Sequence, residues 1–262
     1  VYADFAINEA AVPVIPGQKT ESEKFAGAVN TYSIEAMMGD TKALQSGTSH
    51  FLGQNFAKAF DIQYLDPENQ QQYCWTTSWG FSTRFVGAII MTHGDDQGLV
   101  LPPRLAPYQI VIIPIYRNDA EQSKVMEAAL RVRDQLAGFR VEFDDRNEVT
   151  PGFKFNDWEL RGVPLRIEIG PKDVDNGVIT ISRRYKPGRE GKSALPMTDN
   201  LATEVQTVLN EIQSAMLEKA TRFRDENIHD VRSYDELKQV VQNALASPHR
   251  CESRECEAKV KE

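Results

Sequence analysis

Residues 78–94 read SWGFSTRFVGAIIMTHG. The preceding run, QYCWTTSWG, is rich in aromatics and threonine and is expected to be a strand that ends at Trp79–Gly80. FSTRFVGAIIMTHG is expected to be a buried helix, with Thr83 and Arg84 in its first turn. Backbone amides at a helix start favour anions, and a guanidinium adds a charged fork that suits phosphate. The bland alternative is a surface arginine. It is weakened because Arg84 lies among Phe81, Phe85 and Val86.

Two upstream segments share the pattern of a strand that runs into polar residues and glycines. In GTSHFLGQNF, residues 47–56, Thr48, Ser49 and His50 stand between glycines, and LGQNFAKAF then reads as a helix. Glycines that let a ligand approach the backbone, beside polar groups at a strand end, suit a binding site. The competing reading is a polar turn with a satisfied histidine. GQKTESEKFAGA, residues 17–28, is polar and ends on Phe25 and Gly27. VPVIPG, TYSIEAMM and KALQSGTSHFL are strand candidates around these loops.

Pro102, Pro103 and Pro107 then suggest a linker. IVIIPI, residues 110–115, is continuously apolar, as expected of a strand covered on both faces. Asn118 and Glu121 form a capping box, and the helix that follows aligns Val125, Ala129, Val132 and Leu136 and stops at Gly138. FRVEFD, VPLRIEIG and VITISRR are further strands; in the second, Val163, Leu165 and Ile167 face one way and Arg166 and Glu168 the other. This order predicts a crossover unit in a mixed sheet. A long helix from about Asn200 to Glu226 aligns Leu201, Val205, Val208, Ile212 and Phe223, and Ser233 with Glu236 caps another. After Pro248 the chain is charged and is expected to be marginally ordered.

The 262 residues suffice for one large or two ordinary domains, and 41% hydrophobic with 26% charged residues fits a soluble globular protein. No run approaches the roughly 20 apolar residues of a membrane span. The net charge of −8 argues against a generally basic nucleic-acid-coating protein but leaves room for local RNA contacts. Three cysteines without a secretory signal point to a reducing compartment, by default the cytoplasm. The first residues carry no initiator methionine and read like the end of a helix, so the chain is expected to start inside a larger protein.

KTESEKFAGA, GTSHFLGQNF, SWGFSTRFVGAIIMTHGDDQGLVLPPRLAP, PGFKFNDWELRGVPLRIEIGPKD and the CESREC tail follow one another here as in prolyl-tRNA synthetases. The chain resembles that family, in its archaeal/eukaryotic-like subtype, over nearly its whole length. The resemblance implies an α/β chain whose first part, residues 1–106, is a portion of a class II synthetase catalytic domain, an α+β antiparallel sheet flanked by helices. Residues 107–227 would be a mixed-sheet anticodon-binding domain, and residues 228–262 the start of a zinc-type module.

It further implies that Arg84 contacts ATP phosphates, that Gln45 and Thr48 contact the adenosine side, and that Phe25 and His50, with Gly80, bound a proline pocket. Gly47 and Gly80 would let a flat ligand lie on the sheet. The activity implied is ligation of proline to its tRNA with ATP and Mg2+, which requires no side-chain nucleophile. His50, His93, His229 and His249 have no triad or metal spacing. For the anticodon, Phe155 would stack on a base, Glu159 would accept from a base edge, and Lys172 and Asp173 would supply a donor and an acceptor. The alternative for Phe155 and Trp158 is plain core. RRYKPGREGK carries five cations against Glu190 and is a candidate phosphate-contacting hairpin.

Cys251 and Cys256, spaced C-x4-C, resemble half of a Zn2+ site. The first two class II motifs are expected upstream of Val1, so this chain alone is expected to be inactive. A homodimer is implied for the whole enzyme; neither membrane nor DNA is expected as a partner. The competing class is a non-catalytic tRNA-binding paralogue, which would have little reason to keep Arg84, Gln45, Thr48 and His50 together.

Overall fold

The computed structural model of the chain describes residues 1–186, 188–242, 245–248 and 253–261. Two compact units are formed. The first comprises Val1–Asn8, Val12–Thr92 and Thr221–Glu262; the second comprises Glu9–Ala11 and His93–Ala220.

In the first unit a short helix, α1 (Tyr2–Asp4), leads into a π-helical turn. Strands β1 (Ile15–Gln18), β2 (Asn30–Met37) and β3 (Ala43–Gly53) follow, then helix α2 (Asn55–Phe60) and the small hairpin β4 (Gln63–Leu65) and β5 (Gln71–Tyr73). Strand β6 (Thr76–Phe81) precedes helix α3 (Arg84–His93). The sheet has the order β1-β2-β3-β6 and is antiparallel throughout. Helix α3 is not buried as its sequence suggests. Phe85 and Ala88 are buried, whereas Val86, Ile90 and Met91 are more than 40% exposed. An apolar helix packed on one side of a single sheet buries only one stripe.

The second unit is built around β7 (Ile110–Pro114), all five residues of which are buried. Its alternate side chains enter two different cores, which is why the run is apolar without interruption. Ile110 and Ile112 pack in one core with Val125, Ala128, Ala129 and Val132 of α4 (Asp119–Gln135). Val111 and Ile113 pack on the other face with Trp158 and Val163. Full burial of each such side chain contributes about 1.5–3 kcal/mol. The cap of α4 is as expected at one end: Asn118 accepts from Glu121 N at 2.9 Å. Its reciprocal arm is displaced, since the Glu121 carboxylate accepts from Arg117 N at 2.9 Å.

Strand β8 (Val141–Phe143) pairs parallel with β7. The PGFKFNDWEL segment is helix α5 (Pro151–Leu160), started by the Thr150 side chain and Pro151. Strand β9 (Leu165–Ile169) pairs parallel with β7 on its other side; short helix α6 (Pro171–Asn176) follows. Strands β10 (Val178–Arg183) and β11 (Lys192–Pro196) complete the mixed sheet, ordered β11-β10-β9-β7-β8. Helix α7 (Leu201–Glu226) buries Leu201, Val205, Val208 and Ile212 in the same core as α4, whereas Phe223 at its end is 37% exposed.

The chain then returns to the first unit through β12 (Ile228–Val231), α8 (Tyr234–Val240), β13 (Leu245–Pro248) and α9 (Arg254–Lys261). Ser233 caps α8 by accepting from Glu236 N at 3.2 Å. The described part of the charged tail is helical, and Tyr234 Oη donates to Lys259 O at 2.9 Å.

Candidate active site and candidate RNA-facing cluster

A bulge decides which side chains share a face of the first sheet. Ile34 pairs with Gly47 and Glu35 with Gln45, so Ser46 is an extra residue in β3. In a ladder without the bulge, Gln45 and Thr48, three apart, would point to opposite faces. With it, Gln45, Thr48 and His50 align opposite Glu35, Ser33 and Thr31 of β2. On the other flank Thr48 pairs with Gly80 and His50 with Ser78 of β6. Arg84 follows at the start of α3, where its amide donates to Ser82 Oγ at 3.3 Å. Gln45, Thr48, His50, Ser78, Gly80 and Arg84 thus line one cavity of about 250 Å³.

The glycines divide by face. A Cβ on Gly80 would meet nothing within 4 Å, so the sheet is open there. Gly47 also lines the cavity with its backbone, while a Cβ there would point to the opposite face and approach Ile34 Cγ1 and Tyr2 Cδ2 at 3.5 Å. Arg84 is exposed and pairs with no carboxylate among the described residues. Its guanidinium is therefore available for an incoming anion.

His50 has a defined orientation. Its Nδ1 lies 2.9 Å from Thr31 Oγ1, and Phe25 N donates to that same oxygen at 3.1 Å. The Phe25 ring lies 4.9 Å from the imidazole. Thr31 Oγ1 thus ties the imidazole, through Nδ1, to the backbone of Phe25. Phe25 and His50 are therefore brought together as expected. Thr31, Ser33 and Glu35, with Lys19 bonded to Glu35 at 2.8 Å, were not among the candidates. Their signal is visible in TYSIE, where polar residues alternate with Tyr32 and Ile34.

In the second unit the candidate RNA-binding residues sit in a charge cluster. Glu159 Oε1 accepts from Arg166 at 2.7 Å, Arg166 also donates to Glu168 at 3.1 Å, and Lys192 donates to Glu168 at 2.9 Å. The Phe155 ring packs under these cations, with Arg166 Cζ 4.2 Å and Lys192 Nζ 5.6 Å from its centre. Phe155 also packs against the Val111–Trp158 core, so it is partly the core residue of the bland reading. Arg166 and Glu168 face away from Ile167 as expected, yet both are buried and paired to each other.

Asp173 is occupied locally: one carboxylate oxygen accepts from Gly170 N at 2.8 Å, the other from Thr180 at 3.0 Å. Lys172, its neighbour, is exposed.

The basic hairpin is less free than its composition suggests. Arg184 is buried and donates to Asp95 at 2.8 and 2.5 Å, and Arg183 donates to Ser193 at 3.0 Å. With Lys192 on Glu168, three of its five cations have internal partners. A separate buried group supports α5. Asp144 accepts from Arg146 at 2.7 Å and from the Trp158 indole at 2.7 Å, beside Lys154. Burial opposes ionisation of this carboxyl, but the hydrogen bonds from Arg146 and Trp158 outweigh it and hold Asp144 well below the usual carboxylate range.

The zinc expectation rests on two cysteines, of which the structure describes one. Cys251 lies outside the described residues, and Cys256 is exposed in α9. Among the described residues no three His, Cys, Asp or Glu side chains are placed to hold a metal. No helix among them is long and apolar enough to cross a membrane.

The comparisons with known proteins agree on one family. Residues 109–206 match the Anticodon binding domain family. A proline–tRNA ligase of Roseiflexus sp. (strain RS-1) is 57% identical over 263 aligned residues, covering 100% of this chain and 55% of that relative. The chloroplastic/mitochondrial proline–tRNA ligase of Arabidopsis thaliana is 55% identical over 92% of this chain and 45% of its own length. The crystal structure of prolyl-tRNA synthetase from Cryptosporidium parvum complexed with L-proline and AMP superposes with a TM-score of 0.89 at 38% identity, over 98% of this chain and 55% of that one. The chain thus spans about half the length of the curated relatives it matches. From end to end the chain is thus similar to about half of a prolyl-tRNA synthetase, in sequence and in fold.

Proposed function

We propose that this chain forms part of a proline–tRNA ligase, which activates proline with ATP and passes the prolyl group to its tRNA. The observation that carries the reading is the single cavity lined by Gln45, Thr48, His50, Gly80 and Arg84. In this reading a proline carboxylate oxygen attacks the α-phosphorus of ATP and pyrophosphate leaves. A terminal ribose hydroxyl of the tRNA then attacks the prolyl carbonyl and AMP leaves. No side chain needs to become covalent; positioning and charge neutralisation suffice.

Arg84 meets the phosphates, Gln45 and Thr48 hold the nucleoside on the open sheet beside Gly80, and Phe25 and His50 wall the prolyl ring. The Mg2+ that accompanies ATP supplies further charge neutralisation on the departing pyrophosphate. The Cryptosporidium relatives were crystallised with L-proline and AMP, and with halofuginone and AMPPNP, which supports a shared nucleotide and amino-acid site.

In the second unit, Phe155, Glu159, Lys172 and Asp173 read the anticodon. The functional division follows residues 1–106 for catalysis, 107–227 for the anticodon and 228–262 for the terminal module. The whole enzyme works as a homodimer in the cytoplasm, with Zn2+ in the terminal module only if residues beyond Cys251 and Cys256 complete the site. The identity to proline–tRNA ligases counts against a non-catalytic paralogue.

The test is proline-dependent ATP–pyrophosphate exchange by the full-length protein. Exchange that depends on proline and on no other amino acid supports the reading. Its absence in a folded protein that still binds proline tRNA favours the paralogue.

A further inference from the structure

The loop Lys19–Phe25 delivers Phe25 to His50, yet few of its own contacts fix it to the sheet. Lys19 N donates to Thr31 O at 2.8 Å and Phe25 N to Thr31 Oγ1 at 3.1 Å, one at each end. Between them, Glu23 N and Lys24 N fold back on Thr20 O at 3.1 and 2.9 Å. The hydroxyls of Thr20 and Ser22 both donate to one oxygen of Glu257, some 235 residues further along the chain. Glu257 lies in α9, which Tyr234 of α8 holds through Lys259 O at 2.9 Å. The middle of the loop is therefore gripped by a carboxylate on a helix that has its own second attachment.

We propose that Glu257 is a positioning residue: through Thr20 and Ser22 it fixes the Lys19–Phe25 loop and so sets Phe25 against His50 in the amino-acid pocket. The last segment of the chain would then contribute to substrate binding without touching substrate. Two hydrogen bonds to a carboxylate are of the charge-assisted, stronger kind. Their loss frees the loop centre while its two ends stay bonded to Thr31. The consequence for proline rests on the reading of Phe25 and His50 as its pocket; the anchoring of the loop does not.

Hydrogen–deuterium exchange of the full-length protein tests the anchor. In Glu257→Ala, peptides covering residues 19–25 are expected to exchange faster by about tenfold or more, with β2 and β3 unchanged. Glu257→Gln keeps an accepting oxygen but loses the charge, and is expected to loosen the loop less than Glu257→Ala. Thr20→Val with Ser22→Ala is expected to reproduce the loosening and to add nothing to Glu257→Ala. It also serves if Glu257→Ala fails to fold.

In proline-dependent pyrophosphate exchange the same variants are expected to raise KM for proline by about tenfold and leave KM for ATP alone. Unchanged loop exchange in both sets of variants, or equal loosening of β2 and β3, overturns the anchor. A loosened loop with an unchanged proline KM overturns its role in positioning. A wild-type protein without proline-dependent exchange overturns the proposed function instead, and the deuterium experiment still decides the anchor.

Discussion

Arg84 in the first unit is exposed and meets no carboxylate among the described residues, whereas Arg166 in the second is buried between Glu159 and Glu168. Each lies beside an aromatic residue in a candidate binding region. The first is held out by the start of a helix, with its charge unspent. The second belongs to a network that includes Lys192 and the face of Phe155. An anion can reach Arg84 without breaking any protein contact. A nucleobase at Glu159 must instead compete with an ion pair already made. One region is prepared by leaving a charge open, the other by exchanging partners, and stability and function should be coupled only in the second.

The largest effect is expected where commitment is greatest. Asp144→Asn leaves the buried Lys154 without its counter-charge and Arg146 with Asp157 alone, and should lower the unfolding free energy by about 3–5 kcal/mol. Urea denaturation measures this. Arg84→Ala should change stability by less than about 0.5 kcal/mol in the same assay. A loss at Arg84 comparable to that at Asp144 would erase the contrast between the regions.

Arg84→Ala should act on chemistry instead. Proline-dependent pyrophosphate exchange by the full-length protein is expected to fall by about 10² or more, as for loss of one charge-stabilising donor. A folded variant that exchanges at the wild-type rate removes Arg84 from the site.

The second unit should also carry a proton-sensitive stability. Burial pushes His93 down to about 4, and its Nε2 bonds to Ala10 O at 3.0 Å. The folded state therefore resists protonation that the unfolded chain accepts. Stability from this group is complete above about pH 6.5 and declines as pH falls towards the folded value, by about 3 kcal/mol in all. Melting curves across that interval should flatten in His93→Gln, while the Asp144 contribution remains until pH falls below about 4. A slope that survives in His93→Gln assigns the sensitivity to another group.

The smallest effect concerns the anticodon. Glu159→Ala should weaken binding of proline tRNA by about 1–3 kcal/mol and leave a tRNA with another anticodon nearly unaffected. Titrations of both at two salt concentrations separate this from a phosphate effect. Equal weakening of both would make Glu159 a support for Arg166 rather than a reader of bases.

Much of the architecture is legible in the sequence because it is written in short periods. The uninterrupted IVIIP run, the Val125–Ala129–Val132 stripe and the Asn118 cap each depend on neighbours a few residues away. The Lys19–Phe25 loop and its approach to His50 followed from a resemblance, not from any period. What stayed hidden depends on distant partners. Arg184 looks free beside Lys186, yet its carboxylate is Asp95, 89 positions earlier. Helix α5 was not evident because its large side chains are spread around it: Trp158 is buried whereas Phe153 is 54% exposed. Gly47 and Gly80 look alike as residues and face opposite ways, because the pleat and not the residue type decides.

The bulge at Ser46 makes the site a matter of strand register as well as of composition. Substituting this buried serine changes one side chain, so a scan by alanine would pass over the position with little comment. Deleting it would leave Gln45 and Thr48 two apart in a regular ladder and still on one face; pairing Ser46 into the ladder would instead carry Gln45 to the side occupied by Ile34 and Tyr32 and leave Thr48 and His50 behind. The three-residue spacing of Gln45 and Thr48 thus serves the site only while the ladder skips one residue between them.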